Sequence, residues 1–212
     1  MQDNRISEAV IHRLPKYYRY LSELEAAGIE RVSSSRMSNE MNLNASQIRR
    51  DLNCFGGFGQ QGYGYQVCRL KLEIMKILGI GSSYKAVIVG AGNIGQALLK
   101  YRHFANEGYH IIGVFDSDEQ AVGREVGGLI IRPMNELSVF LEKNAVDIGI
   151  IAVPKQYAQK TADELVSLGV KGIWNFAPVD VQVRRGVSVE NVHLSDSLYI
   201  LSYHMRDNSE NN

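Results

Sequence analysis

Ala86-Val87-Ile88-Val89-Gly90-Ala91-Gly92-Asn93-Ile94-Gly95 decides the fold. Four apolar, mostly β-branched residues run into a Gly-x-Gly-x-x-Gly turn, and a helical pattern follows. Glycines at these places permit a tight turn, close approach of a pyrophosphate, and close strand–helix packing. The N-terminus of the following helix offers amide N–H groups and a positive dipole to phosphate. A lone glycine motif is a weak signal. Here an acid stands where a ribose would need it. Asp116 ends the next apolar run, Gly113-Val114-Phe115-Asp116, 21 residues after Gly95. No arginine follows it before Arg124, so a 2′-phosphate would meet the carboxylates of Asp116 and Asp118. The pattern therefore favours NAD(H) over NADP(H). FAD and coenzyme A use similar turns and stay open at this point.

Outward from that turn, the chain alternates strand and helix. Strands are predicted near residues 85–89, 110–115, 148–153 and 172–175, and helices near 94–106, 135–143 and 155–168. The strands are rich in Val and Ile with little alternation, as parallel strands buried on both faces should be. This half reads as a Rossmann domain, a doubly wound and mainly parallel sheet. The tail after Asp207 is polar and predicted to be disordered.

Before Gly79-Ile80-Gly81-Ser82-Ser83, the predicted linker, the pattern is helical. Val10, Leu14, Tyr17, Leu21 and Leu24 recur at helical spacing, with Pro15 expected to divide the run and Gly28 to end it. A short helix is expected after Ser34 or Ser35, through Met37 and Met41. Asn42-Leu43-Asn44 turns the chain, and Asn44 with Gln47 forms a capping-box-like start for the next helix. In Ala45-Ser46-Gln47-Ile48-Arg49-Arg50-Asp51-Leu52-Asn53, Ala45, Ile48 and Leu52 share one face, while Ser46, Arg49, Arg50 and Asn53 share another. One face can enter a core while two guanidinium groups project together, able to bond guanine edges or neutralise phosphates. Two helices joined by a three-residue turn give helix-turn-helix spacing. The glycine- and aromatic-rich stretch 55–65 reads as a hairpin, and so as a wing.

Composition bounds these readings. The 212 residues are 45% hydrophobic and 22% charged, ordinary values for one large or two small globular domains. Two cysteines make no extracellular disulfide framework, so a reducing, cytoplasmic compartment is the default. Cys54 and Cys68 read as small apolar residues, and no Cys/His cluster has zinc spacing. The first fifteen residues have no apolar core of a secretory signal, and no run is long enough for a membrane span. Twenty-three basic and 23 acidic side chains sum to zero. Zero argues at first against a nucleic-acid binder. Yet residues 1–84 hold 11 Lys+Arg against 8 Asp+Glu, and residues 85–212 hold 12 against 15. The balance is +3 beside −3, with the positive excess around the helix-turn-helix.

Gln47-Ile48-Arg49-Arg50-Asp51-Leu52, Phe55-Gly56-Gly57-Phe58-Gly59 and Gly62-Tyr63-Gly64-Tyr65 resemble the DNA-binding domain of the redox-sensing repressor Rex family. Gly90–Gly95, Ala152-Val153-Pro154, and the stretch from Gly169 to Val179 resemble its Rossmann domain. The resemblance implies a winged helix-turn-helix domain over residues 1–80, an NAD(H)-binding Rossmann domain over 84–192, and a C-terminal domain-swapped helix over 193–207. It implies a homodimer that binds double-stranded DNA at an inverted-repeat operator, is released by NADH, and catalyses nothing. Gly90, Ala91, Gly92, Asn93, Ile94, Gly95 and Asp116 would hold the shared adenosine diphosphate. Tyr101, Val153, Pro154, Phe176, Ala177 and Pro178 would lie toward the nicotinamide. Ser46, Gln47, Arg49 and Arg50 would meet DNA, with Arg13 from the first helix and Gln60-Gln61 from the wing. Arg19, Tyr101 and His193 would form the switch. No metal is expected. The swapped helix has support in its own sequence: Leu194, Leu198, Leu201 and Met205 form a helical stripe that needs a partner surface.

Two departures from the family stand out. An aspartate usually follows Val-Glu-Asn-Val; here Val189-Glu190-Asn191-Val192 is followed by His193, whose charge changes near neutral pH. That points to an altered, pH-sensitive or weakened switch. The wing carries neutral Gln60-Gln61 where a basic pair is usual, which loses attraction to a minor groove. DNA affinity is then expected to depend on dimerisation more than on bulk charge. Two other functional classes compete. An NAD-dependent dehydrogenase would use His193 or Lys155 as its acid–base group, and a coenzyme A-binding module would use the same glycine turn.

Overall fold

The computed structural model describes residues 6–210, apart from 57–58 and 61–62. The chain forms two compact units, Met1–Ser82 and Ser83–Asn212.

The first unit opens with α1 (Glu8–Ile11) and α2 (Leu14–Ala26), and Pro15 sits in the first turn of α2. Its missing N–H costs nothing there, because the first amides of a helix have no intrahelical partner. The strand β1 (Arg31–Val32) leads to α3 (Ser34–Met41), which is capped by Ser33: its Oγ accepts the Arg36 amide at 3.0 Å. So the cap lies one residue before the expected Ser34 or Ser35. Asn42 ends α3 at φ +53°, the one non-glycine residue with positive φ among the described residues. Asparagine bears this left-handed geometry at low cost. The Leu43 amide then donates to Ser38 O and the Ser38 hydroxyl to Leu43 O, stapling the turn. The helix α4 (Ala45–Asn53) starts at Asn44, whose side chain accepts the Ser46 amide at 2.8 Å. The bond goes to the second helical amide rather than to that of Gln47, because an Asn side chain reaches either.

The hairpin pairs β2 (Gly59–Gln60) with β3 (Gly64–Gln66), and β1 completes a small antiparallel sheet in the order β1-β3-β2. The two-residue β1 was not legible as a strand. The helix α5 (Val67–Leu78) closes the unit at Gly79. Its core joins Leu14, Tyr17 and Leu21 of α2 to Met37 of α3, Ile48 and Leu52 of α4, and Leu70 and Ile74 of α5.

The second unit is a seven-stranded sheet. Its parallel strands are β4 (Tyr84–Val89), β5 (Tyr109–Asp116), β7 (Leu129–Pro133), β8 (Ile148–Ile151), β9 (Gly172–Asn175) and β10 (Ser188–Asn191). A short β6 (Glu125–Val126) pairs antiparallel with β7 at one edge. The order is β10-β9-β8-β4-β5-β7-β6. The chain turns back across β4, so the switch point lies between β4 and β8, where Val89 pairs with Ile151. Sequence reading missed β6, β7 and β10. The first is two residues long, β10 is an edge strand with one apolar residue in four, and the apolar run of β7 is only Leu129-Ile130-Ile131.

One face of the sheet, with Val87, Val89, Phe115, Ile151 and Ile173, packs against α8 (Leu137–Lys143) and α9 (Lys155–Ser167). The other face, with Ala86, Ile88, Val114 and Ile150, is covered by α6 (Asn93–Lys100) through Leu98 and Leu99. Apolar residues on both faces explain the lack of alternation in the sequence. The helix predicted over 94–106 is instead two: it breaks at Tyr101 (φ −81°, ψ +85°) and resumes as the short α7 (His103–Asn106). No Gly or Pro marks this break; the Tyr101 ring packs edge-on against Phe104. The β9–β10 connection, residues 176–187, carries no helix. The second face is therefore left open over β8, β9 and β10. Finally α10 (Leu194–Glu210) runs past the predicted end of order at Asp207, since extending an existing helix needs no new nucleus.

A dinucleotide cleft and an arginine-bearing recognition helix

In the second unit the glycine turn is sterically fixed. Gly90 has φ +101°, and a Cβ there would lie 2.4 Å from Ala152 O; a Cβ on Gly95 would lie 1.9 Å from Gly90 O. Only hydrogen fits at either place. The turn crosses the carboxyl ends of β4 and β8, and α6 begins just after Gly92. Asp116 ties it down. Its Oδ2 accepts the Ala91 amide at 2.6 Å and its Oδ1 accepts the Asp118 amide at 2.9 Å. A carboxylate has about four acceptor sites, so capacity remains for the two hydroxyls of a ribose.

A cleft of about 660 Å³ opens here, bounded by Gly90, Gly92, Asp116, Asp118, Val153 and Pro154, with Met134, Tyr157 and Lys160 on its far wall. The last three were not singled out from the sequence, because nothing in their spacing links them to the glycine turn. Phe176, Ala177 and Pro178 follow β9, where the Phe176 amide donates to Ile151 O at 2.8 Å. Tyr101 lies apart, at the far end of α6, 54% exposed. Rings bridge the gap: Tyr101 meets Phe104 at 4.8 Å, Phe104 meets Trp174 at 5.6 Å, and Trp174 meets Phe176 at 4.6 Å, all edge to face.

His193 stands immediately before α10. Its Nε2 lies 2.7 Å from Asp180 Oδ1, and this hydrogen bond to a carboxylate raises the imidazole pKa above its usual value. Neither His193 nor Lys155 is among the described residues lining the cleft.

In the first unit α4 presents two faces. Ile48, Asp51 and Leu52 are buried, and Ser46, Arg49 and Arg50 are exposed. Arg49 is pre-positioned: its two terminal nitrogens donate to Ser34 Oγ of α3 and Ser46 Oγ, each at 3.1 Å. Gln47 is half-buried beside them. Asp51 is a residue that sequence reading left unassigned. It accepts Arg13 in a two-pronged pair, Nε to Oδ2 at 2.6 Å and Nη2 to Oδ1 at 2.8 Å, and accepts the Tyr17 hydroxyl at 2.8 Å. Burial, then the bond to Asp51, pushes the Tyr17 phenol well above its ordinary pKa; the bond to Asp51 likewise raises that of Arg13. Arg13 is thus engaged with the recognition helix itself. Arg19 is exposed on α2. Gln60 ends β2, and Gln61 lies outside the described residues.

Fold and site together define a two-part regulator class, a winged helix-turn-helix joined to a dinucleotide-type Rossmann unit. Comparison with known proteins narrows the class. A family model described as "Putative DNA-binding protein N-terminus" matches residues 5–53, and one described as "CoA binding domain" matches 81–179. The redox-sensing transcriptional repressor Rex of Clostridium botulinum strain Alaska E43 is 50% identical over 204 residues, covering 96% of this chain and 97% of its own. That of strain Hall is 52% identical over 197 residues, covering 93% and 94%. Among solved structures, RSP in complex with beta-NAD+ and operator DNA superposes with a TM-score of 0.89 at 46% identity, over 97% of this chain and 94% of that one. RSP in complex with beta-NADH gives 0.89 at 44%, over 96% of each. The chain belongs to the redox-sensing transcriptional repressor Rex family. These relatives are named repressors, not enzymes.

Proposed function

We propose that this protein is an NADH-responsive transcriptional repressor that binds an inverted-repeat operator in double-stranded DNA as a homodimer and is released by NADH. One observation carries the reading: a single chain holds both an exposed arginine face on a buried-backed recognition helix and a glycine-turn cleft closed by Asp116. The relatives' complexes with NAD+, NADH and operator DNA support it. Ser46, Gln47, Arg49 and Arg50 meet DNA, and Gln60 and Gln61 are the wing's contacts to it. Arg13 acts through α4, holding it by Asp51. A repressor of this kind works beside its DNA, in the cytoplasm of bacteria like those of its relatives. Among the described residues no helix is long and apolar enough to cross a membrane.

NADH and NAD+ share their adenosine diphosphate. Gly90–Gly95 and Asp116 therefore supply affinity without discrimination. Preference arises at the nicotinamide, neutral when reduced and cationic when oxidised, through Val153, Pro154, Phe176, Ala177, Pro178 and the switch residues Tyr101, Arg19 and His193. Coenzyme A carries a phosphate on its adenosine ribose, which Asp116 and Asp118 would repel, so the name of the matching family model does not extend to its ligand here. The three-part division, residues 1–80, 84–192 and 193–207, follows the same reading. Every described residue of α10 from Leu194 to Asn208 is exposed, and a groove of about 500 Å³ lies open over β8, β9 and β10, lined by Ile148, Ile150 and Val189. Exchange of α10 between two copies would cover both surfaces.

The test is a set of calorimetric titrations with NADH, NAD+ and coenzyme A, on the natural chain and on Asp116→Ala. Asp116→Ala should weaken NADH and NAD+ by the same factor and leave their ratio unchanged. A changed ratio contradicts this division of labour, and coenzyme A binding as tight as NADH contradicts the assignment of the ligand.

A further inference from the structure

Trp174 is the chain's single tryptophan, and no function assigned so far uses it. It lies on β9, two residues before Phe176 and therefore on the same face of the sheet. Both rings pack on the side covered by α6. The Phe176 amide bonds Ile151 O at the carboxyl end of β8, and the reading above assigns Phe176 to the nicotinamide side of the cleft. One rung lower, Trp174 meets Phe176 at 4.6 Å and 61°, and meets Phe104 of α7 at 5.6 Å and 77°. Phe104 and Trp174 also line the open apolar groove, together with Ile148 and Ile150. Both rings thus line the groove, and Trp174 also backs Phe176.

We infer that Trp174 and Phe104 are positioning residues that couple the nicotinamide end of the cleft to the apolar groove. This rests on the reading above, in which the cleft takes NAD(H) and a second copy covers the groove. The physical basis is the interlocked edge-to-face packing. Consecutive rings from Tyr101 to Phe176 meet edge to face with centroids 4.6–5.6 Å apart, so a displaced ring bears on its neighbour. A nicotinamide that shifts Phe176 shifts Trp174, and with it the groove. Coupling is reciprocal: whatever seats in the groove changes the preference at the nicotinamide by the same factor. A leucine at position 174 or 104 keeps the surface apolar but is smaller and has no edge or face to transmit.

The experiment measures NADH, NAD+ and ADP-ribose affinities for the full-length natural protein, Trp174→Leu, Phe104→Leu and the conservative Trp174→Phe. ADP-ribose lacks the nicotinamide and reports the shared end alone. The Leu variants should bind ADP-ribose within about twofold of the natural protein while losing roughly five- to tenfold of the NADH-over-NAD+ preference, the scale of one or two lost aromatic edge contacts. Trp174→Phe should restore most of it. Leu variants that keep the natural preference overturn the inference. A natural protein without any preference overturns the NAD(H)-sensing reading instead, so the two failures are distinct. Should the Leu variants not fold, the natural chain still decides through its own tryptophan. NAD+ should shift Trp174 emission and ADP-ribose should leave it unchanged; identical emission in both overturns the inference.

Discussion

The two amphipathic helices α4 and α10 stand in opposite conditions. The apolar side of α4 is finished within its own chain, by Ile48 and Leu52 in the core and by Asp51 gripped from α2 and the residue before it. The apolar stripe of α10 is covered by none of the described residues: Leu194, Leu198, Leu201 and Met205 are each more than half exposed. Helices draw most of their stability from such packing. The helix α4 is therefore held within its own unit. In the reading proposed above, α10 acquires its place only with a second copy.

The largest effect should come from breaking the grip on α4. Asp51→Ala leaves the Arg13 charge and the Tyr17 hydroxyl without their acceptor, and should destabilise the first unit by about 3–5 kcal/mol. Calorimetry should show the N-terminal transition falling while that of the second unit stays. Next comes α10. Leu198→Asp should weaken self-association by roughly 2–4 kcal/mol, the scale of a central interface residue. Sedimentation should then show monomer at concentrations where the natural chain is dimeric. Undiminished self-association in Leu198→Asp would mean that α10 is not the dimer surface. Tyr17→Phe sharpens the comparison from the other side. It removes one bond to the buried carboxylate and should cost about 1.5–3 kcal/mol, less than Asp51→Ala because the ion pair survives.

The smallest effect lies at the root of α10. Asp180 raises the pKa of His193, so the paired, protonated form is favoured in the folded state. Its contribution is full below the unpaired value of 6.5 and is lost as pH rises through the raised folded value. The anchoring of α10 should therefore loosen toward alkaline pH, read as a pH-dependent dimer dissociation constant. His193→Asn should flatten that dependence. An unchanged profile in His193→Asn would remove the pair from the account.

How much of this was legible in the sequence follows from range of interaction. The glycine turn and Asp116 act within one strand–helix–strand unit, and spacing alone found them. The two faces of α4 came from helical periodicity in the same way. Asp51 did not, because its partners Arg13 and Tyr17 are 38 and 34 residues away and an acid in a basic helix reads as solvated. The break at Tyr101 was hidden for a similar reason. It is held by a ring contact to Phe104 rather than by Gly or Pro. The partner of His193 was invisible too, since Asp180 lies in a loop without periodicity. Short edge strands such as β1 and β6 carry too few residues to show an alternation.

The central claim is that one redox state of one nucleotide releases the DNA. It is tested most directly by titrating the dimer onto an A/T-centred inverted repeat at fixed salt and pH, with no nucleotide, with saturating NAD+, and with saturating NADH. NADH should weaken binding at least tenfold, a coupling of about 1.4 kcal/mol between the two sites, while NAD+ leaves it within about twofold of the nucleotide-free value. Equal binding in all three conditions, or equal weakening by both nucleotides, would contradict the account.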